Sequence, residues 1–208
     1  MSETDEATPG STRPRPARER LLAAAARRFY ADGVSATGID TITAEAGVAR
    51  KSLYNNFSSK SELVRAYLAA RHEEWLRLYR LRLEQARAAR AGVLDPRAGV
   101  LAVFDAYADH AESAYEHGFR GCGLLNAAAE LPVGDEGRTV VRRHKEEVEQ
   151  LLAGHLEELL PDRPDRVRTT AEHLAFLLEG AMARAGLEGG GTRLQHARAM
   201  AADLLERL

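Results

Sequence analysis

Apolar residues recur every three to four positions along most of the chain, and this period is typical of amphipathic α-helices. The first periodic segment begins at Ala17, and its apolar face carries Leu21, Ala25 and Phe29. Gly33 lies where a C-terminal cap is needed. No segment alternates like a strand over more than a few residues, and no internal repeat is visible. The pattern therefore predicts an all-α fold.

Capping residues place the helices that follow. Thr37 has the N-cap chemistry for a second helix, which Gly47 closes. Ser58 or Ser59 caps a long helix, and Glu62 is placed to complete a capping box. A short helix over residues 49–57 lies between them. The remaining predicted helices cover residues 96–117, 121–131, 135–160, 164–187 and 192–208.

Charge is distributed unevenly along the 208 residues, although the net charge is only −2. Residues 13–60 contain nine basic and four acidic residues, a net charge of +5, whereas residues 1–12 carry −3 and the remainder carries −4. A basic front segment joined to an acidic body is expected when one part of a protein docks on an anionic polymer. An accidentally basic helix face is the alternative.

Several classes of protein are excluded by composition. Cys122 is the single cysteine, so there is no intramolecular disulfide and no cysteine-cluster metal site. The chain lacks an apolar run long enough for a membrane span and an apolar N-terminal signal segment, so we expect a cytosolic protein without membrane contact. Cys122 could be an oxidation switch, but a small apolar filler is the favoured interpretation.

The short helix over residues 49–57 has an unusual division of its surface. With Leu53 facing inward, Ala49 and Phe57 fall within about 40° of it at about 100° per residue. Lys51 and Asn55 then lie near the opposite pole. A short polar helix that is braced by the preceding one has the geometry of a helix-turn-helix recognition helix in the DNA major groove. The predicted DNA-binding residues are Thr37, Arg50, Lys51, Ser52, Tyr54, Asn55, Asn56 and Lys60.

The segment TGIDTITAEAGVARKSLYNNFSSKSEL, residues 37–63, resembles the DNA-binding region of the TetR family of transcriptional repressors. The shared elements are a Thr-capped helix, an Ile-led run of small residues, Ala-Gly-Val, Leu-Tyr-x-x-Phe and Ser-Lys-x-x-Leu. Thr43 departs from this pattern, because the family usually has Ala there. We expect its hydroxyl to bond back to a carbonyl.

The resemblance implies an organisation for the whole chain. Residues 1–16 are polar and rich in proline and threonine, and are interpreted as a disordered arm. Residues 17–63 form the helix-turn-helix domain, and residues 64–208 form an all-α domain that binds a ligand and dimerises. The resemblance further implies a homodimer that contacts its partner through residues 164–208 and binds a palindromic operator. A run of small residues there permits close helix approach: Gly180, Ala181, Ala183 and Ala185.

Cavities of helical bundles form in their cores, so we expect the effector site in the core of the C-terminal domain. Because such a cavity is mostly apolar, the expected ligand is a small hydrophobic molecule with a polar group. Its predicted cavity is bounded by Phe104, Tyr107, Cys122, Leu125, Asn126 and Phe176. No phosphate loop or other cofactor motif is present, and we expect no cofactor. Filling of the cavity would release the operator by shifting the long helix that begins near Ser59.

Histidines raise the possibility of a metal site. His144 and His155 share a helix face, but at 1.5 Å per residue about 16 Å separates them, too far to chelate one ion. A site assembled from different helices, such as His144 with His173 or Glu130, stays open. Imidazoles that are solvated or at the core edge are favoured, and no metal is predicted.

Two other functional classes are compatible with an all-α fold. One is an enzyme in a helical bundle, but no Ser/His/Asp or Cys/His constellation has local motif support, and this class leaves Lys51, Tyr54 and Asn55 unexplained. The other is a regulator of the same fold that works without a ligand, as an activator or an architectural factor.

Overall fold

The structure is a computed structural model that describes residues 16–112 and 118–208. Every regular element in these two ranges is a helix, as the periodicity predicts. The helices are α1 (Ala17–Asp32), α2 (Ile39–Ala46), α3 (Arg50–Asn56), α4 (Lys60–Ala88), α5 (Pro96–Glu112), α6 (Gly123–Glu130), α7 (Glu136–Leu159), α8 (Pro164–Glu188) and α9 (Thr192–Glu206). The predicted arm, apart from Pro16, lies outside the described residues, as does the predicted end of the fifth helix at 113–117.

The caps of the first helices agree with the sequence except at Thr37. Ser59 is the N-cap of α4: its hydroxyl accepts from the Glu62 amide at 3.1 Å, and the Glu62 carboxylate accepts from the Ser58 amide at 2.6 Å. The N-cap of α2 is Gly38, so the prediction for Thr37 is wrong. The Thr37 hydroxyl instead donates backwards to the Gly33 carbonyl at 2.6 Å, and this bond closes the turn between α1 and α2.

The long helix α4 joins the two parts of the fold. Its first turns pack on α1, where Tyr67 meets the edge of Phe29 at a centroid distance of 5.5 Å. Further along, Trp75 stacks on Tyr79 and packs against Tyr107 of α5. The helices α5 and α7 pack against α4, and α8 and α9 cover them. One continuous apolar core therefore runs from the first helix to the last.

Residues 118–122 lie against α8 at Gly186, where the α8 backbone has no room for a side chain. A Cβ on Gly186 would be 2.7 Å from the Cα of Gly121, and real Cβ atoms do not come so close to backbone. Gly121 itself has φ 82°, a conformation that favours glycine. This close approach holds the segment that precedes α6 against α8.

We expect Gly186→Ala to lower the free energy of unfolding by about 1–3 kcal/mol, because the methyl group must displace backbone. The matched control is Gly154→Ala in α7, where a Cβ meets nothing within 4 Å. That change should raise stability by up to about 1 kcal/mol through helix propensity. Urea denaturation followed by circular dichroism measures both; equal effects of the two changes would contradict the close approach.

Candidate functional site

The helices α2 and α3 form a helix-turn-helix around Gly47. Gly47 adopts the left-handed conformation, with φ 61° and ψ 41°, and its amide and that of Val48 bond to carbonyls of the last turn of α2. Arg20 of α1 donates to the Gly47 carbonyl at 3.3 Å. The turn is thus closed by a left-handed glycine and braced by a side chain from another helix. Arg20 has no local signal in the sequence that points to this role, because 27 residues separate it from Gly47.

Two residues anchor α3 in the N-terminal unit formed by α1, α2, α3 and the first turns of α4, which we call the head. Leu53 is fully buried and Phe57 nearly so, as the helical wheel predicts, and Arg18 lies over the Phe57 ring at 5.0 Å. Ala49 is exposed rather than buried. It is the N-cap residue and has extended backbone, so a wheel does not describe its direction.

Polar side chains cover the outer face of α3. Lys51, Tyr54 and Asn55 are exposed, and Ser52 is half-buried. The amide of Asn56 donates to the Ser52 carbonyl at 2.7 Å, so one of its donors is already engaged. The face therefore presents an ammonium, a phenol and a carboxamide to the same solvent region.

Ion pairs neutralise part of the positive charge of the head. Glu45 of α2 accepts from Arg27 at 2.6 Å and also pairs with Arg28. Partial burial raises the pKa of Glu45, but the two guanidinium groups outweigh this effect and hold that pKa below its ordinary value. Arg50 pairs with Asp40 at 3.1 Å on the exposed surface. Lys51 has no ion-pair partner among residues 16–112 and 118–208, so its charge is available.

The two remaining predicted DNA-binding residues differ in accessibility. Lys60, at the start of α4, is half-buried and its ammonium donates to the Ser35 carbonyl at 3.4 Å. Thr37 is 2% exposed, and its hydroxyl bonds to backbone carbonyls. A buried hydroxyl with these partners cannot reach a phosphate, so Thr37 is removed from the predicted contacts.

A small enclosed void of about 20 Å³ lies between α4, α5, α6, α7 and α8. It has room for about one water molecule. Of the predicted cavity residues, Tyr107 and Cys122 line this void, whereas Phe104 is fully buried in the core and does not line it. The other lining residues were not assigned to a cavity from the sequence: Arg71, Trp75, His110, Gly123, Leu124, His144 and Met182.

A larger groove of about 490 Å³ opens on the surface between α6 and α8. Cys122, Leu125 and Asn126 line it, and the Asn126 amide donates to the Arg120 carbonyl at 2.9 Å. Cys122 and Met182 line both spaces, so these two side chains form the wall between the groove and the void.

The prediction that Phe176 bounds the cavity is wrong. It is 66% exposed on the outer face of α8 and lines neither the void nor the groove. The amphipathic period of α8 places Leu174 and Leu178 inward, which turns Phe176 away from the core. Helical spacing alone did not distinguish the two faces, because both carry apolar residues.

A chain of hydrogen bonds passes through the polar side of the void. Lys145 can only donate, so the Tyr107 hydroxyl accepts from it at 3.3 Å and donates to Nε2 of His144 at 3.3 Å. The proton of His144 is then on Nδ1, which donates to Nδ1 of His72 at 2.9 Å. Nε2 of His72 in turn faces Glu147 at 3.4 Å.

Burial keeps His144 and His110 neutral. It lowers the pKa of His144 to about 2 and that of His110 to about 3, with the nearby cations Lys145 and Arg71 acting in the same direction. The Lys145 ammonium stays charged, because Glu179 pairs with it at 2.6 Å. The lining of the void therefore combines aromatic side chains and neutral imidazoles with the Arg71 guanidinium, which pairs with Glu74 at 2.6 Å.

Neither a metal cluster nor a membrane span is found in the part of the chain that the structure describes. Within it, no three His, Cys, Asp or Glu side chains converge as ligands. His173 is exposed on α8, and Glu130 bonds to the α1–α2 turn, so neither joins His144. None of the described helices combines the length and apolar character needed to cross a bilayer.

Comparison with known proteins identifies the head. Residues 21–67 match the family model described as bacterial regulatory proteins, tetR family. Among curated proteins, the HTH-type transcriptional regulator TtgR of Pseudomonas putida is 43% identical over 56 residues. That alignment covers 27% of this chain and 27% of TtgR, so the likeness extends over about a quarter of either protein.

Similarity to solved structures extends over nearly the whole chain. A TetR-family transcriptional regulator from Streptomyces coelicolor is 32% identical, with a TM-score of 0.75 and coverage of 92% of this chain and 94% of that one. A putative TetR transcriptional regulator from Streptomyces avermitilis is 27% identical, with a TM-score of 0.69 and coverage of 92% and 99%. The chain belongs to the TetR family of DNA-binding transcriptional regulators.

Proposed function

We propose that this regulator is a homodimeric repressor that a small hydrophobic effector releases from a palindromic operator. The observation that carries the proposal is the division of α3, which buries Leu53 and exposes Lys51, Tyr54 and Asn55. Because the polar face of this seven-residue helix is not packed inside the protein, its side chains are available to contact another molecule. The net charge of +5 over residues 13–60 suits an anionic partner.

The side chains of α3 divide into base-reading and phosphate-binding groups. Lys51 and Asn55 extend from the pole opposite Leu53, where a helix in the major groove meets base edges. Lys can donate to guanine and Asn can pair with adenine. Tyr54, Arg50 and Ser52 flank that pole and suit phosphate oxygens, and Lys60 adds a charge at the start of α4.

We expect Lys51→Ala to weaken binding to the specific operator by about 1–3 kcal/mol and to relax base preference at one position in each half-site. Lys60→Ala should weaken binding to all duplexes alike and reduce the slope of affinity against salt. Operators come from selection of bound sequences in random duplex DNA, and affinities are measured by fluorescence anisotropy at several salt concentrations. Equal losses on specific and random DNA for both variants would contradict the assignment of Lys51.

The outer face of α8 supports dimerisation. Phe176, Gly180, Ala183 and Leu187 follow one another at helical spacing, and Phe176 and Leu187 are 66% and 85% exposed. Met200 of α9 is 58% exposed. Large apolar side chains around small residues on one exposed surface are typical of a protein–protein contact.

The outward face differs in part from the run of small residues read from the sequence. Ala185 is fully buried in its own subunit and Ala181 is half-buried, so neither is a first choice for an interface substitution. Gly180 and Ala183 are the small residues on the exposed face. A two-fold contact through α8 and α9 would form a four-helix bundle between subunits.

We expect Gly180→Glu to yield monomers and to abolish high-affinity operator binding, because a buried charge would stand at the contact. Gly154→Glu on α7 is the matched control, since both glycines are helical and a Cβ on either meets nothing within 4 Å. Light scattering measures the molar mass. A Gly180→Glu protein with the mass and operator affinity of the control would contradict the α8 interface.

The groove and the void together support an effector site. The void alone holds about one water molecule, so an effector needs the groove or a displacement of the Met182 and Cys122 wall. Leu125 and Met182 provide apolar surface, while Arg120 and Asn126 provide polar groups at its edge. A modest-sized hydrophobic molecule with one polar group fits this lining.

We expect Leu125→Asp to abolish the rise in melting temperature that hydrophobic fragments cause in the parent protein, because a carboxylate in the groove disfavours an apolar ligand. Val133→Asp is the control: it makes the same change at a residue that is 94% exposed and lies outside the groove. A fragment library screened by thermal shift gives the measurement. Fragments that stabilise both variants as they stabilise the parent would locate the effector site elsewhere.

The same screen separates the alternatives. A regulator that works without a ligand would show no stabilising fragment although it binds DNA with strong salt dependence. An enzyme would turn over a substrate without salt-dependent binding to duplex DNA.

A further inference from the structure

Two side chains from the proposed effector-binding part of the chain, residues 64–208, form hydrogen bonds at the C-terminal end of α1 and in the turn that follows it. Arg120 donates through Nη1 to the carbonyl of Tyr30 at 3.0 Å and also to that of Ala31. These carbonyls belong to the last turn of α1, where they have no partner within the helix, and that turn contains no basic residue of its own. Arg120 therefore supplies from a distance the cation that a helix C-terminus favours.

Glu130, the last residue of α6, binds the turn that follows. Its carboxylate accepts from the Val34 amide at 3.0 Å and from the Ser35 amide at 2.7 Å. Gly33 has φ 93°, a conformation that favours glycine, and a Cβ there would lie 2.7 Å from the Glu130 carboxylate, which would have to shift to make room. Partial burial raises the pKa of Glu130, but the two amides outweigh this effect and lower it below its ordinary value.

Tyr30 completes the contact from the side of the head. Its hydroxyl accepts from the Arg120 amide at 2.6 Å and donates to the Gly121 carbonyl at 3.2 Å. Tyr30 is 7% exposed, so these bonds are shielded from water. The end of α1 and the α1–α2 turn are thus held by side-chain and backbone groups from residues 120–130.

The same segment forms one side of the groove. Arg120, Cys122, Leu125 and Asn126 line it. The bond from the Asn126 amide to the Arg120 carbonyl links α6 to the residue that contacts α1. On the other side of the turn, Lys60 donates to the Ser35 carbonyl. Ser35 therefore lies between a carboxylate from the effector-binding part and the lysine that we assign to a phosphate.

We propose that Arg120 and Glu130 are positioning residues for DNA recognition: they fix the orientation of the head relative to the effector-binding part. This proposal rests on the proposed function, because it concerns how the operator is bound. A dimer must present two heads at a fixed separation to reach both half-sites. Any displacement of residues 120–130 by a molecule in the groove reaches the head directly through these bonds, in parallel with α4.

The sign of one substitution distinguishes positioning from simple electrostatics. Glu130→Gln removes a negative charge close to Lys60, and by charge alone this would strengthen binding to every duplex. A carboxamide, however, cannot accept from both the Val34 and Ser35 amides without turning its own NH₂ group towards one of them. Positioning therefore predicts weaker binding to the operator, despite the more favourable charge.

The test uses the full chain and the duplex selected from random DNA. We expect Glu130→Gln and Arg120→Met each to weaken operator binding about tenfold. Binding to random duplex should stay unchanged or become stronger with Glu130→Gln, and it should fall by much less than about tenfold with Arg120→Met, which removes a positive charge. Glu136→Gln is the control, since it removes the same charge from an exposed carboxylate whose ion pair is with Arg65 of α4 and not with α1 or the α1–α2 turn. Circular dichroism below the melting transition verifies that each variant is folded.

Hydrogen exchange provides a readout that a purely structural role would not change. Coupling between sites is reciprocal, so operator binding should increase the protection of residues 118–131 in the parent and in Glu136→Gln, and not in Glu130→Gln or Arg120→Met. Parental operator affinity together with unchanged exchange coupling in both variants would overturn the positioning role alone. Failure of the parent to select any duplex would overturn the proposed function, and the positioning role with it.

Discussion

The DNA-binding head depends on the burial of two side chains from a helix that cannot persist by itself. Seven residues form too few hydrogen bonds to offset the entropy of helix nucleation. Leu53 and Phe57 each contribute about 1.5–3 kcal/mol through burial, and this anchorage leaves the opposite face of α3 free to be polar. The left-handed Gly47 and the bond from Arg20 to its carbonyl then hold α3 at a fixed angle to α2.

Away from the head, the interior is more polar than a simple helical bundle requires. His144 sits 3% exposed between His72 and Tyr107, and it is tolerated there because burial keeps it neutral and both of its nitrogens have partners. Lys145 is tolerated because Glu179 compensates its charge. Each member of this buried network makes at least one of these bonds, which favours one arrangement, although Oε2 of Glu179 has no hydrogen-bond partner among the described residues.

The link between the two parts of the molecule is polar and short. The long helix α4 carries the head covalently, but Arg120 and Glu130 grip it at a second point, on the far side of the α1–α2 turn. The covalent link through α4 alone would allow the head to rotate, whereas the second contact through Arg120 and Glu130 fixes its orientation. The groove, the α6 helix and the α1–α2 turn are therefore in direct contact through hydrogen bonds, although about 90 residues separate Tyr30 from Arg120.

The elements whose causes are local follow directly from the sequence. The period of the apolar residues predicts an all-α chain, Ser59 and Glu62 mark the start of α4, and the spacing of Leu53 and Phe57 identifies the buried stripe of α3. Each of these depends on residues within a few positions of one another, so the pattern contains the physical cause.

Tertiary packing determines which apolar face of a helix points inward and which groups that are distant in sequence come into contact. Phe176 has the spacing of a core residue, yet the packing of Leu174 and Leu178 turns it outward. Thr37 has N-cap chemistry, but its hydroxyl finds the Gly33 carbonyl and the cap falls to Gly38. The bonds of Glu130 to Val34 and Ser35 have no local signal at all, because they form only when α6 packs beside the end of α1.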